Sequence, residues 1–353
     1  MVGRKKKTKT CDKGSQEDMI SKLPDPLISE ILYHLPTKDA VSTSVLSTKW
    51  RNHWQCVPGL DLDSRAFSNL DAFMRFVGGF LESSMIRKLR LSNHFPDSIT
   101  FLTLWFDVLT AQRRIQHLDL DFAIYNYYDN VIPQSIYTCE SLVHLRLCRA
   151  VLAITEFIFL PCLKIMHLDC CWYSKEATSS LEKLISASPV MEDLTIFNMY
   201  EHREKVIQVR SNTLKRIHID HSIQVVIDAP LLQCLNAKFT KSDLDMLPTI
   251  LESCPKLESL ILELVKDPSR KKNTEAKVMF STVPPQCLVS SLKYVELKRL
   301  IPRYEGEIEL VRYLLKNSTI LETLKLEKKA MRAFIKEVVA MPRCSSACKV
   351  LVL

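Results

Sequence analysis

Leu142-Val143-His144-Leu145-Arg146-Leu147 is one copy of a six-residue phrase, apolar-x-x-apolar-x-apolar, that returns along most of the 353-residue chain. It recurs as IRKLRL from Ile86, IQHLDL from Ile115, LKIMHL from Leu163, MEDLTI from Met191, LKRIHI from Leu214 and LQCLNA from Leu232. LESLIL from Leu257, LKYVEL from Leu292 and LETLKL from Leu321 continue the series, and CKVLVL from Cys348 is a degenerate eleventh. Side chains alternate across a strand, so the last three residues of each phrase form a short strand with two apolar side chains inward and the middle one outward. The first apolar residue enters the same core from the preceding turn. One such unit cannot hide its apolar face alone, whereas parallel stacking of many builds a continuous core. Ala177–Ser186 (ATSSLEKLIS) and Asp243–Ser253 (DLDMLPTILES) read as helices on the outer side. The expected fold is therefore an α/β solenoid, with parallel strands on its concave side and helices outside.

Successive phrases start 29, 27, 21, 28, 23, 18, 25, 35, 29 and 27 residues apart. The mean lies in the range of about 20–29 expected for a leucine-rich repeat, with considerable irregularity. Ser188-Pro189 and Cys254-Pro255 place a proline where a helix must stop. Asp228-Ala229-Pro230 and Leu160-Pro161-Cys162 read as extended links in repeats without a full helix. The polar run Lys266–Lys277 accounts for the 35-residue step as an inserted loop. On the concave face the outward residues are Arg90, Asp119, Arg146, His167, Thr195, His218, Asn236, Ile261, Glu296 and Lys325. Such faces bind proteins in solenoids, so Arg90, Asp119, Arg146, His167, His218, Glu296 and Lys325 are the candidate target contacts. A merely solvated face explains the same mixture of charges. Tyr125, Tyr127, Tyr128, Trp172 and Tyr173 fit interface anchors or core plugs equally well.

Ahead of the repeats stands Ile20–Trp54, ISKLPDPLISEILYHLPTKDAVSTSVLSTKWRNHW. Asp25 can cap a helix opening at Pro26. Leu27, Ile28, Ile31, Leu32 and Leu35 then come at helical spacing, a stripe too broad for so short a helix to bury on itself. Pro36 stops it. Thr37 can cap a second helix carrying Ala40, Val41, Val45 and Leu46, and Ser47 or Thr48 a third holding Trp50 and Trp54. A unit this small has more apolar surface than its own core can hide. It reads either as a helical cap on a larger domain or as a module that docks on a partner. Val57–Asp63 (VPGLDLD) reads as a turn and a short alternating strand, forming a hinge between this unit and the repeats. Ala66–Leu81 reads as an amphipathic helix that Gly78-Gly79 would weaken or end.

The order and spacing of Leu23-Pro24-Asp25, Ile31-Leu32, Leu35-Pro36-Thr37-Lys38, Ser44-Val45-Leu46-Ser47 and Trp50-Arg51-Asn52-His53-Trp54 resemble the F-box in the plant form that precedes leucine-rich repeats. Lys49 stands where arginine is commoner, and His53 where an apolar residue is usual. The resemblance implies binding to the small adaptor subunit of a cullin-RING ubiquitin ligase. Its candidate contacts are Leu23, Pro24, Ile28, Ile31, Leu32, Leu35, Pro36, Val45, Leu46, Trp50 and Trp54; some of the eleven must instead form the module's own core. PPQCLVSSLKYVELKRL from Pro284 and EIELVRYLLKNSTILETLKL from Glu307 resemble the FBD domain that closes many plant F-box proteins with leucine-rich repeats. There Glu307–Asn317 should be a helix with Ile308, Leu310, Val311, Leu314 and Leu315 inward, and Ala330–Val339 another. Val350–Leu353 should pair as a final strand, since an open apolar edge invites aggregation. The expected organisation is a disordered basic tail over 1–17, an F-box over 18–63, the repeats over 64–283, and an FBD region over 284–353 that continues them.

Hydrophobic residues make up 47% and charged residues 25% of the chain, as in soluble globular proteins. No run of eighteen apolar residues and no secretory leader is present, so neither a membrane partner nor secretion is expected. The twelve cysteines are scattered without C-x-x-C pairs, as reduced thiols would be; no metal or other cofactor is expected, and Cys344 with Cys348 makes a poor zinc site. Arg4, Lys5, Lys6, Lys7, Lys9 and Lys13 against Asp12 carry five of the eight net positive charges. This run reads as a nuclear import signal, placing the protein in nucleus or cytoplasm, or as a solvated tail. The body lacks the basic, aromatic-interleaved face of a nucleic-acid binder. With six glycines and no nucleophile-elbow, P-loop, dinucleotide or metalloprotease motif, no catalytic residue is expected. The reading that unites these features is the substrate receptor of a ubiquitin ligase, holding an unknown protein target. Its competitors are a binding scaffold outside the ligase system and a nuclear polyanion binder acting through the tail.

Overall fold

The computed structural model describes residues 19–352 except 84–85, 96–98, 113, 123–129, 154, 156, 174–177, 198–205, 221–223, 241–242, 266–279, 281–282, 300–304 and 328–331. The basic tail, Tyr125–Tyr128 and the loop over Lys266–Lys277 thus lie outside the described residues.

Each repeated phrase supplies a strand, and one strand precedes them all. In chain order these are β1 (Gly59–Asp63), β2 (Lys88–Asn93), β3 (His117–Phe122), β4 (His144–Cys148), β5 (Ile165–Asp169) and β6 (Asp193–Phe197). Then come β7 (Arg216–Ile219), β8 (Cys234–Thr240), β9 (Ser259–Val265), β10 (Tyr294–Lys298), β11 (Thr323–Leu326) and β12 (Lys349–Val352). They form one twelve-stranded sheet whose spatial order is the chain order, and every pairing is parallel. The register never slips. Leu60, Leu89, Leu118, Leu145, Met166, Leu194, Ile217, Leu235, Leu260, Val295 and Leu324 stand in one row, none more than 3% exposed. A one-residue slip anywhere would turn that row to solvent, which is why the apolar phrase fixes the register.

What connects the strands depends on the length available. Long steps hold helices: α1 (Asp25–Tyr33) and α2 (Thr37–Ser42) precede the sheet, and α3 (Leu70–Ser83) and α4 (Ile99–Ala111) join its first strands. Further along come α5 (Gln134–Tyr137), α6 (Thr178–Ser186), α7 (Leu247–Ser253), α8 (Gln286–Ser290), α9 (Glu305–Asn317) and α10 (Arg332–Ala340). In the shortest steps the return path is extended chain, with Gln224–Asp228 paired parallel to Val206–Arg210. A strand advances about 3.3 Å per residue against about 1.5 Å for a helix, so it spans the same distance with fewer residues. Trp172–Tyr173 pairs with Val151–Leu152 in a second such side sheet. In the C-terminal part Leu310, Val311, Leu314 and Leu315 of α9 are buried as their spacing predicts, and Ile308 packs at the margin of the core. β12 pairs with β11, as expected of the last strand. Among the described residues no helix is long and apolar enough to cross a membrane.

Three expectations are corrected by the course of the chain. Val57–Asp63 is no hinge, because β1 is the first rung of the sheet, paired with β2 over five residues. The segment holding Trp50 and Trp54 is not an α-helix but turns ending in a 3₁₀ turn over His53–Cys56. In a helix the two indoles, four residues apart, would share a face. Here Trp50 instead fills the core of the N-terminal module while Trp54 reaches out to α3. Finally, α3 begins at Leu70, with the Asn69 side chain accepting from the Ala72 N–H at 2.9 Å, and runs through Gly78-Gly79 to Ser83. Phe73, Val77, Phe80 and Leu81 anchor it from both sides of the glycine pair, and such burial outweighs the cost of about 1 kcal/mol that a helical glycine carries.

A Cβ built on Gly78 or Gly79 meets nothing within 4 Å, and neither residue has a positive φ. Gly78→Ala and Gly79→Ala should each stabilise the fold by about 0.5–1 kcal/mol, read as a higher urea midpoint at unchanged slope; a lower midpoint would show that this helix face must stay bare.

Candidate functional site

The N-terminal module has a small core of Ile28, Leu32, Ala40, Trp50 and Val57, with Leu23, Tyr33, Leu35 and Trp54 at its margin. On α1 the pair Ile28 and Leu32 faces this core, while the neighbouring pair Leu27 and Ile31 faces solvent. The broad apolar stripe is thus two stripes with different duties. Val45 is 87% and Leu46 49% exposed just after α2, and Met19 and Ile20 are also open. Of the eleven sequence-derived contacts, Pro24, Ile31, Pro36, Val45 and Leu46 lie at the surface. Ile28, Leu32 and Trp50 are buried within the module and cannot touch a partner in this form. Trp54 stacks on Phe76 and Phe80 of α3, with ring centroids 6.3 and 6.1 Å apart, and so holds the module to the solenoid. Leu27, Ile20 and Met19 are exposed apolar residues outside that set; the i, i+4 spacing of Leu27 and Ile31 is the signal by which sequence reasoning could have found the first.

The two unusual residues of the segment meet at one place. Lys49 Nζ donates to the Leu23 carbonyl and sits 3.0 Å from Asp25 Oδ1, with His53 Nε2 3.8 Å from the same oxygen. Lys49's hydrogen bond and charge hold the Asp25 carboxyl below its ordinary pKa. Trp50 Nε1 donates to the Ile20 carbonyl at 3.3 Å. Together these bonds clamp the Leu-Pro entry to the end of the module. Asp25 is not a cap but the first residue of α1, which Pro24 precedes.

Thr37 is not the cap of α2 either. Its hydroxyl accepts from the Asp61 N–H of β1 at 2.8 Å. The Tyr33 ring packs so closely on Gly59 that an added Cβ would meet it at 3.1 Å, and the Lys88 ammonium lies over that ring, 5.3 Å from its centroid. The module therefore covers the free edge of β1 and is the solenoid's N-terminal cap.

The sheet's open face carries the second candidate surface. The register sets Asp61, Arg90, Asp119, Arg146, His167, Thr195, His218, Asn236, Ile261, Glu296 and Lys325 in a single row. All seven sequence-derived target contacts are in it. Several are tied to one another: Arg146 to Asp119 at 2.9 Å, Arg90 to Asp61 and Asp119 at 3.6 and 3.5 Å, and Lys325 to Glu296 at 2.9 Å. Among the described residues no group of three or more histidine, cysteine or acidic side chains is placed to hold a metal. Cys344 is exposed and Cys348 buried, so they do not share a face. Burial pushes the thiols of Cys148, Cys171 and Cys254 up to about 12, which keeps them protonated and unreactive. Cys171 donates to the Leu147 carbonyl one repeat back at 3.4 Å, filling the position where such repeats carry asparagine or cysteine. Trp172 is half-buried on the side strand, away from the open face.

An F-box-like helical module joined to a parallel-strand, leucine-rich-repeat solenoid is the class of molecule these features define. Family models agree: the F-box domain matches residues 20–59, a Leucine Rich Repeat 162–189 and FBD 281–326. The chain is 49% identical to the F-box/FBD/LRR-repeat protein At1g51370 of Arabidopsis thaliana, the match covering 100% of both chains. It is 39% identical to the F-box/FBD/LRR-repeat protein At5g53840, over 98% of each, and 33% identical to F-box/LRR-repeat protein 13, over 97% and 98%, both from the same plant. The chain belongs to the plant F-box/FBD/LRR-repeat family.

Burial lowers the pKa of His117, His144, His167 and His218, and neighbouring positive charges add to it: Lys88 at His117, His167, His117 and Arg146 at His144, Arg146 at His167, and Lys298 and His167 at His218. Asp119, Asp193 and Asp220 oppose the shift without reversing it. These imidazoles bind fewer protons folded than unfolded, so unfolding takes up protons once the pH is below the ordinary value near 6.5. Stability should be complete above that pH and fall as the solution is acidified below it. Melting temperatures across this window check it, and replacing His117, His144 and His167 together by Gln should flatten the curve.

Proposed function

We propose that the chain is the substrate-receptor subunit of a cullin-RING ubiquitin ligase. The module's exposed apolar face docks on the small adaptor subunit, and the open face of the solenoid holds a protein target for ubiquitination. The observation that carries this reading is the division of the module: its core is complete with Ile28, Leu32, Ala40, Trp50 and Val57, yet Leu27, Ile31, Val45 and Leu46 remain open to solvent. An apolar face left over once the core is filled marks a protein interface. The chain would contribute no chemistry of its own. Its part is to raise the local concentration of target beside the charged ubiquitin enzyme, and the ligase supplies the rest.

The test is co-purification of the full chain with the adaptor, as wild type and as Val45→Glu with Leu46→Glu. Both positions are too exposed for the change to disturb the core, and circular dichroism verifies the fold. Placing two charges in a desolvated interface centre should weaken binding at least about 30-fold, since anchor residues there contribute about 2 kcal/mol or more. Equal capture of wild type and variant would mean that this face is not the adaptor site, and no capture of either would remove the ligase reading.

A further inference from the structure

The row that the register builds across the open face is not uniform. At its N-terminal end, charges cancel between neighbouring strands through Asp61, Arg90, Asp119 and Arg146. Arg149, just past β4, pairs with Asp121 in the same way. At the C-terminal end Glu296 pairs with Lys325, and Glu263 with Arg299 at 3.0 Å. Between these ends the row reads His167, Thr195, His218, Asn236, Ile261, all uncharged at neutral pH and all half-buried. Two pairs of charged residues border this middle stretch, Arg216 with Asp193 at 2.8 Å and Lys238 with Asp220 at 3.1 Å, and the charge of Lys298 also reaches His218.

Rings fill much of the same region. His117, His144 and His167 stand in succession edge to face, with centroids 5.8 and 5.4 Å apart, and Phe197 meets His218 edge-on at 4.3 Å. The Nε2 atom of His144 is buried in this series without a hydrogen-bond partner. An added proton there would be an unpaired buried charge between two other imidazoles and near Arg146. The strip is thereby held neutral. Its ring edges and faces, with Thr195, Asn236 and Ile261 beside them, match an aromatic or apolar segment with a few hydrogen-bonding groups. Most of the charged side chains around it are already engaged with one another within the sheet.

We propose that the target-binding centre of the open face is the neutral strip over β4–β8, centred on His167, Phe197 and His218, and that it takes an uncharged, aromatic-bearing segment of the partner protein. This rests on the open face being the target surface, as proposed above, and names the chemistry it selects. The paired charges on both flanks set the boundaries of the strip.

The experiment selects a random twelve-residue peptide library, displayed on phage, against the full chain, with a His167→Glu, Phe197→Ala double variant used for counter-selection. Adaptor binding is measured separately on both proteins, so failure of the ligase reading is seen apart from failure of this one. Expected are peptides enriched in aromatic residues with net charge near zero. Their synthetic versions should bind with little change in Kd between about 50 and 500 mM salt, at least tenfold more weakly to the double variant, and unchanged to a Lys316→Ala variant on the exposed side of α9, outside the sheet. Enrichment of acidic or basic peptides whose binding weakens steeply with salt would overturn the proposal. So would peptides that bind the double variant equally, or the absence of any peptide that distinguishes it from wild type.

Discussion

The hydrogen bond from the Asp61 N–H to Thr37 Oγ1, 2.8 Å long, is the join on which this architecture depends. A parallel sheet built one strand at a time has an exposed first edge, and bare edges recruit other chains. Repeat proteins close that edge with a terminal cap. Here the cap is the same module that carries the unfilled apolar face. The Tyr33 ring against Gly59, the Lys88 ammonium over that ring and the Trp54 stack on α3 complete the contact. A cap on the solenoid and a module for docking are alternative readings of Ile20–Trp54 from sequence; the structure shows the cap, and the same module keeps Leu27, Ile31, Val45 and Leu46 open to solvent.

Constant register has an electrostatic consequence. Because the outward residues of successive strands stand side by side, any charge on one strand faces the strand before and after it at pairing distance. Alternating Asp and Arg over β1–β4 turn this into a string of ion pairs. Exposed pairs of that kind stabilise little, but they remove the field that would otherwise attract charged partners. The histidines and Phe197 in the middle of the face stand outside this string of pairs.

The solenoid was legible because its signal is repetition: one phrase, eleven times, each copy specifying the same inward and outward residues. The first rung carries the phrase too, as Val57-Pro58-Gly59-Leu60-Asp61-Leu62, but the Pro58-Gly59 turn inside it makes its short strand read as part of a hinge rather than as a rung of the sheet. Short steps were readable as extended links, though their pairing into side sheets was not, since Val206–Arg210 and Gln224–Asp228 meet only after the main strands have stacked. In the N-terminal module the apolar positions were plain, but their division between core and surface was not. Ile28 and Ile31 are chemically identical, and only the placement of Trp50 beneath α1 decides that the first is buried and the second open. Glycine gave the wrong cue at Gly78-Gly79 because the long-range burial of Phe73, Val77, Phe80 and Leu81 is invisible to local propensity. Thr37 and Asp25 misled for a related reason: their side chains bond to β1 and to Lys49, distant in sequence, in place of the helix ends beside them.

The central claim is that one continuous body presents two separate surfaces, one for the adaptor and one for the target. Hydrogen–deuterium exchange of the full chain, with and without the adaptor subunit, addresses it directly. The account predicts slowed exchange confined to residues 19–49, around Leu27, Ile31, Val45 and Leu46, with the strands from β2 to β11 unchanged. Protection appearing on the open face of those strands, or none in residues 19–49, would contradict it.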